Sequence, residues 1–219
     1  MMLRAADQRE LRKRWEALFS NAPPLASAEL SHQVFEQLFA AYTGSDRYYH
    51  GIGHIAECLA ELDSVRHLVQ NPKAIEAAIW FHDVVYDGRR QDNEERSADT
   101  AEEQLQRLGC DESFRTEVRR LILLTRHDRA PADIDGQLMV DIDLASLSRA
   151  PEIFDHNSEL IRQEFPHVPE SDFLRGREQM LGRFLQRPRI YYTDVFHDRD
   201  EKQARINLQR VIARGGAAR

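Results

Sequence analysis

The stretch that decides the fold is residues 74–87, "AIEAAIWFHDVVYD". All but one of its first eight residues are apolar, which predicts a helix buried around most of its circumference. His82 and Asp83 follow at the end of this helix. Burying an imidazole beside a carboxylate is unfavourable unless both are paired or bind a cation. The stretch therefore predicts a buried helix that ends at a metal site.

Helical spacing extends along the rest of the chain. Apolar residues recur at intervals of three and four, as in Ile55, Leu59 and Leu62, and no segment alternates like a strand for long. Prolines fall mostly between these segments, where they end helices. We therefore predict an all-α protein, a single compact multi-helix bundle. Its helices are expected at about 3–20, 27–42, 51–69, 74–86, 93–108, 112–127, 136–149, 151–164, 171–186 and 193–213.

Length and composition limit how the chain is organised. It has 219 residues, 42% of them hydrophobic, which is enough for one core. We expect one helical domain over 1–219, with the metal-site core at about 47–145. The C-terminal helices at about 151–213 are expected to pack on this core, and residues 214–219 to form a loose tail.

Charge and apolar content argue against two classes of partner. The net charge is -7 and no block rich in lysine or arginine stands apart from acidic residues, so we expect no nucleic-acid partner. The longest apolar run, 74–81, is far shorter than the roughly 20 residues of a membrane span. Cys58 and Cys110 make no disulfide framework, and no signal peptide is visible. These features favour a cytoplasmic protein.

A second informative stretch is 47–59, "RYYHGIGHIAECL". Its "GIGHIA" nearly matches the loop that binds a dinucleotide pyrophosphate. That loop needs a buried strand before it, and the preceding "AYTGSDRYY" is polar and turn-prone, so we reject this interpretation. His50 and His54 are four residues apart, which places both imidazoles on one face of a helix.

A third stretch, 137–148 or "QLMVDIDLASLS", places two acids inside an apolar helix. Asp143 falls on the same stripe as Val140 and Leu147, whereas Asp141 lies about 160° away from Asp143 around the helix. Asp143 is therefore the favoured buried ligand, and Asp141 remains the alternative.

Four of these residues form a predicted shell of two imidazoles and two carboxylates: His54, His82, Asp83 and Asp143. Such mixed donors suit one divalent ion of Mn, Mg, Fe, Co, Ni or Zn, and they leave positions open for water and substrate. His127 ends the segment "VRRLILLTRH" and is a candidate for binding the substrate or a second metal ion. A histidine at a helix C-terminus is also stabilised by the helix dipole, so a structural role for His127 stays open.

This shell resembles that of the HD superfamily of metal-dependent phosphohydrolases, in which a histidine, an adjacent His-Asp pair and a distant aspartate lie on helices in that order. More narrowly, an ordered set of segments is similar to a bacterial branch of predicted phosphohydrolases. The set is "RYYHGIGH", "AAIWFHDVVYD", "NEERSA", "LILLTRH", "DIDLASL", "IRQEF" and "IYYTDVF". The resemblance covers about residues 35 to 210 and implies an HD-type helical bundle.

Two further branches of the superfamily imply roles for single residues. The cyclic-nucleotide phosphodiesterases carry a Tyr-His and, four residues later, a second histidine, similar to Tyr49-His50 and His54. This similarity implies that His50 is the catalytic acid and His54 a metal ligand. The alarmone hydrolases carry an acidic pair where this chain has Tyr86 and Asp87. Asp87 keeps the acid, whereas Tyr86 departs from the pattern, which argues against an alarmone substrate.

The resemblance implies a metal-dependent phosphohydrolase that cleaves a phosphoester of a small molecule, with a nucleotide as the favoured class. Asp87 is then a candidate for orienting the water. Arg47 and Arg126 are candidate phosphate clamps, because a guanidinium can contact two phosphate oxygens at once. Two alternatives stay open: a di-iron HD-type oxygenase, and a catalytically silent HD module that binds nucleotides or regulates. The oligomeric state stays open as well.

Overall fold

Helices account for all the regular structure of this computed structural model, which describes residues 5–20 and 28–217. No strand occurs in these two ranges, so the prediction of an all-α bundle is confirmed. None of the helices in them is long and apolar enough to cross a membrane. The ten α-helices are α1 (Ala5–Leu18), α2 (Ala28–Tyr42), α3 (Ile52–Val65), α4 (Pro72–Phe81), α5 (Asn93–Arg107), α6 (Glu112–Leu124), α7 (Ile134–Leu144), α8 (Pro151–Gln163), α9 (Glu170–Gln186) and α10 (Asp194–Ala217).

The central helix is α4, the one predicted to be buried on all sides. Every residue from Ala74 to Phe81 is buried. Around α4 pack α1, α3, α5, α6 and α7. The one charged residue between Ala74 and Phe81, Glu76, accepts hydrogen bonds of 2.8 Å from Arg14 and 2.6 Å from Arg66, so its charge is compensated.

Several helices end earlier than their apolar spacing predicts, and α4 and α7 differ most from the predicted ends. α4 stops at Phe81 instead of 86, because side chains bind the polar backbone atoms of the next residues. Arg47 donates to the carbonyls of Asp83 and Val84, and the Ser97 hydroxyl contacts both N–H and carbonyl of Val85. α7 stops at Leu144 and continues as a 3₁₀ turn at 145–148.

The helix at the C-terminal end is longer than predicted. α10 continues to Ala217, so 214–217 of the expected loose tail are helical, and no proline is present there to stop the helix. Residues 218–219, like the expected helix starts at 3 and 27, lie outside the described residues. α10 packs against α9 and the 145–148 turn. One cluster of buried apolar side chains extends from Trp15 in α1 to Leu208 in α10.

The turn into α3 explains the first glycine of "GIGHIA". A Cβ atom on Gly51 would lie 3.0 Å from the carbonyl oxygen of Tyr42 and 3.2 Å from that of Arg47. Gly51 is therefore required because two stretches of backbone approach it closely. Gly53 has open space around its Cα, so the second glycine has no such role. This close turn brings the first turn of α3 toward the end of α4.

Candidate metal centre

Three helices bring the predicted ligands to one point. His54 lies in the first turn of α3, His82 and Asp83 directly follow α4, and Asp143 lies near the end of α7. The Nε2 atom of His54 lies 3.2 Å from Nε2 of His82 and 3.1 Å from Oδ1 of Asp143. Oδ2 of Asp83 lies 3.1 Å from Nε2 of His82 and 3.8 Å from Nε2 of His54. His54, His82 and Asp143 form a group that could hold a metal ion. Asp83, the fourth predicted ligand, lies beside this group.

The spacing of these donor atoms fits a single cation. Ligand atoms about 2.1 Å from one ion lie about 3.0 Å apart at right angles and about 3.4 Å apart at the tetrahedral angle. His82 donates from Nδ1 to the carbonyl of Ile79 at 2.9 Å, which fixes the ring and leaves its Nε2 lone pair for an ion. Two imidazole Nε2 atoms 3.2 Å apart can share either one proton or one metal ion. The two nearby carboxylates stabilise positive charge between the imidazoles, and therefore favour a divalent metal ion there.

Charge compensation within the cluster agrees with this donor set. Burial raises the pKa of Asp143, but hydrogen bonds with His127, His54 and His82 outweigh burial and hold the pKa well below its ordinary value. Burial lowers the pKa of His82, but Asp83 and Asp143 outweigh it and raise that pKa well above the ordinary value. The carboxylates therefore stay ionised, and metal binding competes with protons on the imidazoles.

Asp141, the alternative ligand, points away from this cluster. Its carboxylate accepts hydrogen bonds from the backbone N–H of Tyr192 at 2.8 Å, from that of Thr193 at 2.8 Å and from the Thr193 hydroxyl at 2.6 Å. Burial raises the pKa of Asp141 to about 6, although these hydrogen bonds oppose the rise. Asp141 thus fastens the start of α10 to α7, and Asp143 is the residue that faces the histidines.

His50 has a partner that the sequence did not point to. Its Nδ1 donates to Oε2 of Glu164 at 2.6 Å, and Oε1 of the same carboxylate accepts from the backbone N–H of Tyr49 and His50. Burial raises the pKa of Glu164, but the hydrogen bonds from His50 and Tyr49 outweigh burial and lower that pKa. The ring of His50 is also stacked on Tyr86, with centroids 4.1 Å apart. Nδ1 is therefore committed to an ionised carboxylate, and Nε2 is left for a ligand.

His127 reaches the cluster through Asp143. Its Nε2 donates to Oδ2 of Asp143 at 2.9 Å, and its backbone adopts a φ of 56°, in the left-handed region that non-glycine residues rarely occupy. Its Nδ1 is buried and has no hydrogen-bond partner among the described residues. The side chain therefore orients a predicted ligand, and its remaining nitrogen has no partner of its own.

The structure corrects the roles predicted for Arg47 and Asp87. The guanidinium of Arg47 donates to the carbonyls of His50, Asp83 and Val84, so it fastens two loops together and is not placed to clamp a phosphate. Asp87 accepts from the backbone N–H of Arg89 at 2.9 Å and is absent from the cavity wall. It stabilises a turn, and no position for orienting a water at the metal site follows from it.

Arg126 lies on the cavity wall, where it pairs with acidic side chains. Its guanidinium contacts Glu95 and lies 3.1 Å from Asp128, so two carboxylates already balance its charge. A phosphate contact by Arg126 stays a prediction.

A cavity of about 790 Å³ opens beside the candidate metal group. His50, His54, Asp83, His127 and Asp143 line it on that side. Side chains of α8 and α9 and of the segment between them form much of its wall, which is mainly apolar and carries several arginines. The apolar residues of this wall are Ile161, Phe165, Val168, Phe173, Met180, Leu181 and Phe184.

The chain was compared with family models, curated proteins and solved structures. None of them matches it. The arrangement of the described side chains therefore carries the functional argument.

Proposed function

We propose that the protein is a metal-dependent phosphohydrolase of the HD type, acting on a small phosphorylated molecule, with nucleotides as the favoured class. The observation that supports this proposal most strongly is the convergence of two imidazoles and two carboxylates beside a cavity, which all of them except His82 line. The paired His50 and Glu164 beside this cluster add a group that can deliver a proton. The ordered segments that resemble the HD superfamily support the same reaction class.

The proposed metal ligands are His54, His82, Asp83 and Asp143. A divalent ion held by such donors supplies an acidified water at neutral pH and compensates negative charge on phosphoryl oxygens. His82 is oriented by the carbonyl of Ile79, and Asp143 by His127, so two of the four ligands are held by hydrogen bonds behind them. The cavity beside them has a wall that is mainly apolar.

In this proposal His50 protonates the leaving oxygen. Glu164 holds the proton on Nδ1 and orients the ring, so Nε2 is the atom that exchanges a proton with the substrate. The side chain of Glu164 is almost completely buried, with 1% of its surface exposed, which keeps it from being displaced by water. Glu164 is thus a positioning residue, and His50 the candidate catalytic one.

A panel of phosphomonoesters, phosphodiesters and nucleotides, assayed with several divalent metals, tests the proposal. We expect released phosphate or cleaved diester in the wild type and loss of at least about 100-fold in His82→Ala and Asp143→Ala. His156→Ala is the matched control, because this histidine is 63% exposed and far from any predicted ligand in the chain. Activity that persisted in both ligand variants would refute the site, and no turnover of any compound would favour the silent regulatory module.

One observation favours a second candidate, the di-iron oxygenase. A second metal ion would need a further ligand near Asp143. His127 is beside the second oxygen of Asp143 and could supply it. Metal analysis of anaerobically purified protein separates the two candidates. One equivalent of metal per chain agrees with the hydrolase, whereas two equivalents of iron would favour the oxygenase.

A further inference from the structure

Arg177 is a partly buried cation on the cavity wall, and it has no counter-charge among the described residues. It lies in α9, and its Nη2 makes one hydrogen bond of 2.9 Å, to the hydroxyl of Ser158. Its Nε is shielded from solvent and has no partner in the part of the chain that the structure describes. No carboxylate of those residues forms an ion pair with it, in contrast to Arg126 on the same wall.

Such an arrangement is unfavourable for the chain alone. Burial lowers the pKa of Arg177, and the nearby Tyr49 and Tyr86 offset only part of that effect. An arginine nevertheless stays charged at neutral pH, so a partly buried guanidinium remains without a compensating anion. Buried polar groups without partners are uncommon in folded proteins, and a bound ion or water is one explanation for such a group.

Arg177 shares its cavity with the proposed proton donor. His50 and the two rings that pack against it, Tyr49 and Tyr86, line the same cavity as Arg177. An anionic group bound by Arg177 would therefore lie in the cavity that His50 also lines.

The wall around Arg177 indicates what the rest of the ligand is like. Phe173 and Met180 lie on the same helix, and Phe165 and Ile161 line the cavity from the direction of α8. An aromatic or apolar group that enters this cavity buries surface against these side chains, which stabilises the complex by about 25 cal/mol per Å² of apolar surface. A bare inorganic anion gains no such contact.

We propose that Arg177 binds the phosphate group of the ligand and that the apolar wall binds an aromatic or apolar organic part. The ligand class is thus a phosphate ester of an aromatic or apolar compound, a class that includes nucleotides. That this phosphate is the one that is cleaved rests on the proposed hydrolase function. The anion site at Arg177 is independent of that function.

Non-hydrolysable phosphonates test the proposal without turnover. Methylphosphonate and phenylphosphonate are titrated calorimetrically into the Mg²⁺-containing full chain. We expect phenylphosphonate to bind more tightly, and Arg177→Met to weaken both by about 10- to 100-fold, because a charge-assisted hydrogen-bonded contact is lost. Arg175→Met is the matched control, since Arg175 lies on the same helix, its side chain is 59% exposed, and it does not line the cavity. It should bind like the wild type.

Each result of this titration decides one part of the proposal. Equal affinity of wild type and Arg177→Met, or no binding to either, would overturn the anion site, and equal affinity for the two phosphonates would overturn the apolar contact. Arg177→Lys keeps the charge and guards against misfolding; its affinity should be intermediate, because an ammonium cannot make the two-pronged contact. Phosphonate binding that depends on Arg177, without any phosphate release from the panel, would retain the anion site and reject the hydrolase. Phosphate release with an unchanged KM in Arg177→Met would retain the hydrolase and reject the anion site.

Discussion

Two aspartates that are two positions apart on α7 have different tasks because they face opposite sides of the helix. Asp143 lies among three imidazoles, whereas Asp141 accepts three hydrogen bonds from Tyr192 and Thr193. The helical stripe in the sequence placed the two on different faces of the helix, as the structure has them, although Asp141 is fully buried and Asp143 is not. What it could not indicate is that Asp141 fastens α10, because its partners are 51 and 52 residues away in the chain.

We expect substitution of these aspartates by asparagine to separate stability from metal binding. Asp141→Asn should lower the unfolding free energy by about 2 kcal/mol, because a neutral amide cannot accept all three hydrogen bonds. That corresponds to a drop in Tm of about 4–8 °C with unchanged metal affinity. Asp143→Asn should lower metal affinity by at least about tenfold. Calorimetry of unfolding and of metal binding measures both, and reduced metal affinity in Asp141→Asn without a change in Tm would contradict the assignment.

Glu164 gives a pH dependence of stability with a defined sign. Its pKa in the folded protein is lowered, so below its ordinary value of about 4.3 the unfolded chain binds more protons than the folded one. The contribution of Glu164 is therefore present above about pH 5 and is lost as the pH falls through the folded-state pKa. The difference in unfolding free energy between wild type and Glu164→Gln should shrink on acidification from pH 7 to pH 3.5. Glu159→Gln, on the exposed face of the same helix, should show no such change.

Residues of the site differ in how visible they are in the sequence. His54, His82, Asp83 and Asp143 could be found because each is a polar group inside or directly after an apolar helix. Glu164 lies 114 residues from His50, and nothing local marks it apart from its position beside Phe165 at the end of α8. Arg177 is likewise one arginine among many, and only the tertiary structure reveals that no described carboxylate pairs with it.

At the scale of elements, the loop after α4 is held by side chains from two other segments. Arg47 precedes α3 and donates to the carbonyls at 83 and 84, while Ser97 of α5 binds the backbone of Val85. These contacts fix the direction of Asp83, the ligand with the fewest hydrogen bonds of its own. Helical spacing predicted that the helix continues to residue 86, whereas α4 ends at Phe81. Apolar periodicity cannot show that side chains distant in the sequence bind the backbone carbonyls of the next residues.

Replacement of Arg47 distinguishes a loop-fastening role from a phosphate clamp. Arg47→Met leaves three carbonyls without their donor, so we expect a loss of about 2–4 kcal/mol of unfolding free energy and weaker metal binding. Arg89→Met is the control, because Arg89 is on the loop after α4 to which Arg47 donates, and 67% of its side chain is exposed. Thermal unfolding and metal titration provide the readouts. An unchanged Tm together with a raised KM would restore Arg47 to the phosphate-binding role.

Across the whole molecule, the candidate site joins parts of the chain that are otherwise connected only through the core. His54 and Asp143 are 89 residues apart, and their helices meet α4 at the ends that face the cavity. A metal ion bound there cross-links α3, α4 and α7 in the folded state. The unfolded chain cannot assemble these four donors at one point, so binding favours the folded form.

Metal addition and removal should therefore change the stability of the entire bundle. At a free metal concentration of 100 times Kd, the expected stabilisation is about 2.7 kcal/mol, or a rise in Tm of about 5–10 °C. Differential scanning calorimetry with Mn²⁺, Co²⁺, Zn²⁺ and Mg²⁺ in turn measures this rise, and a chelator should reverse it. His82→Ala should lose most of the shift and His156→Ala should retain it, because only the first removes a donor. If none of these metals raises the Tm of the wild type, the four predicted ligands form a polar cluster that binds no metal. That result would contradict the proposal of a metal-dependent phosphohydrolase.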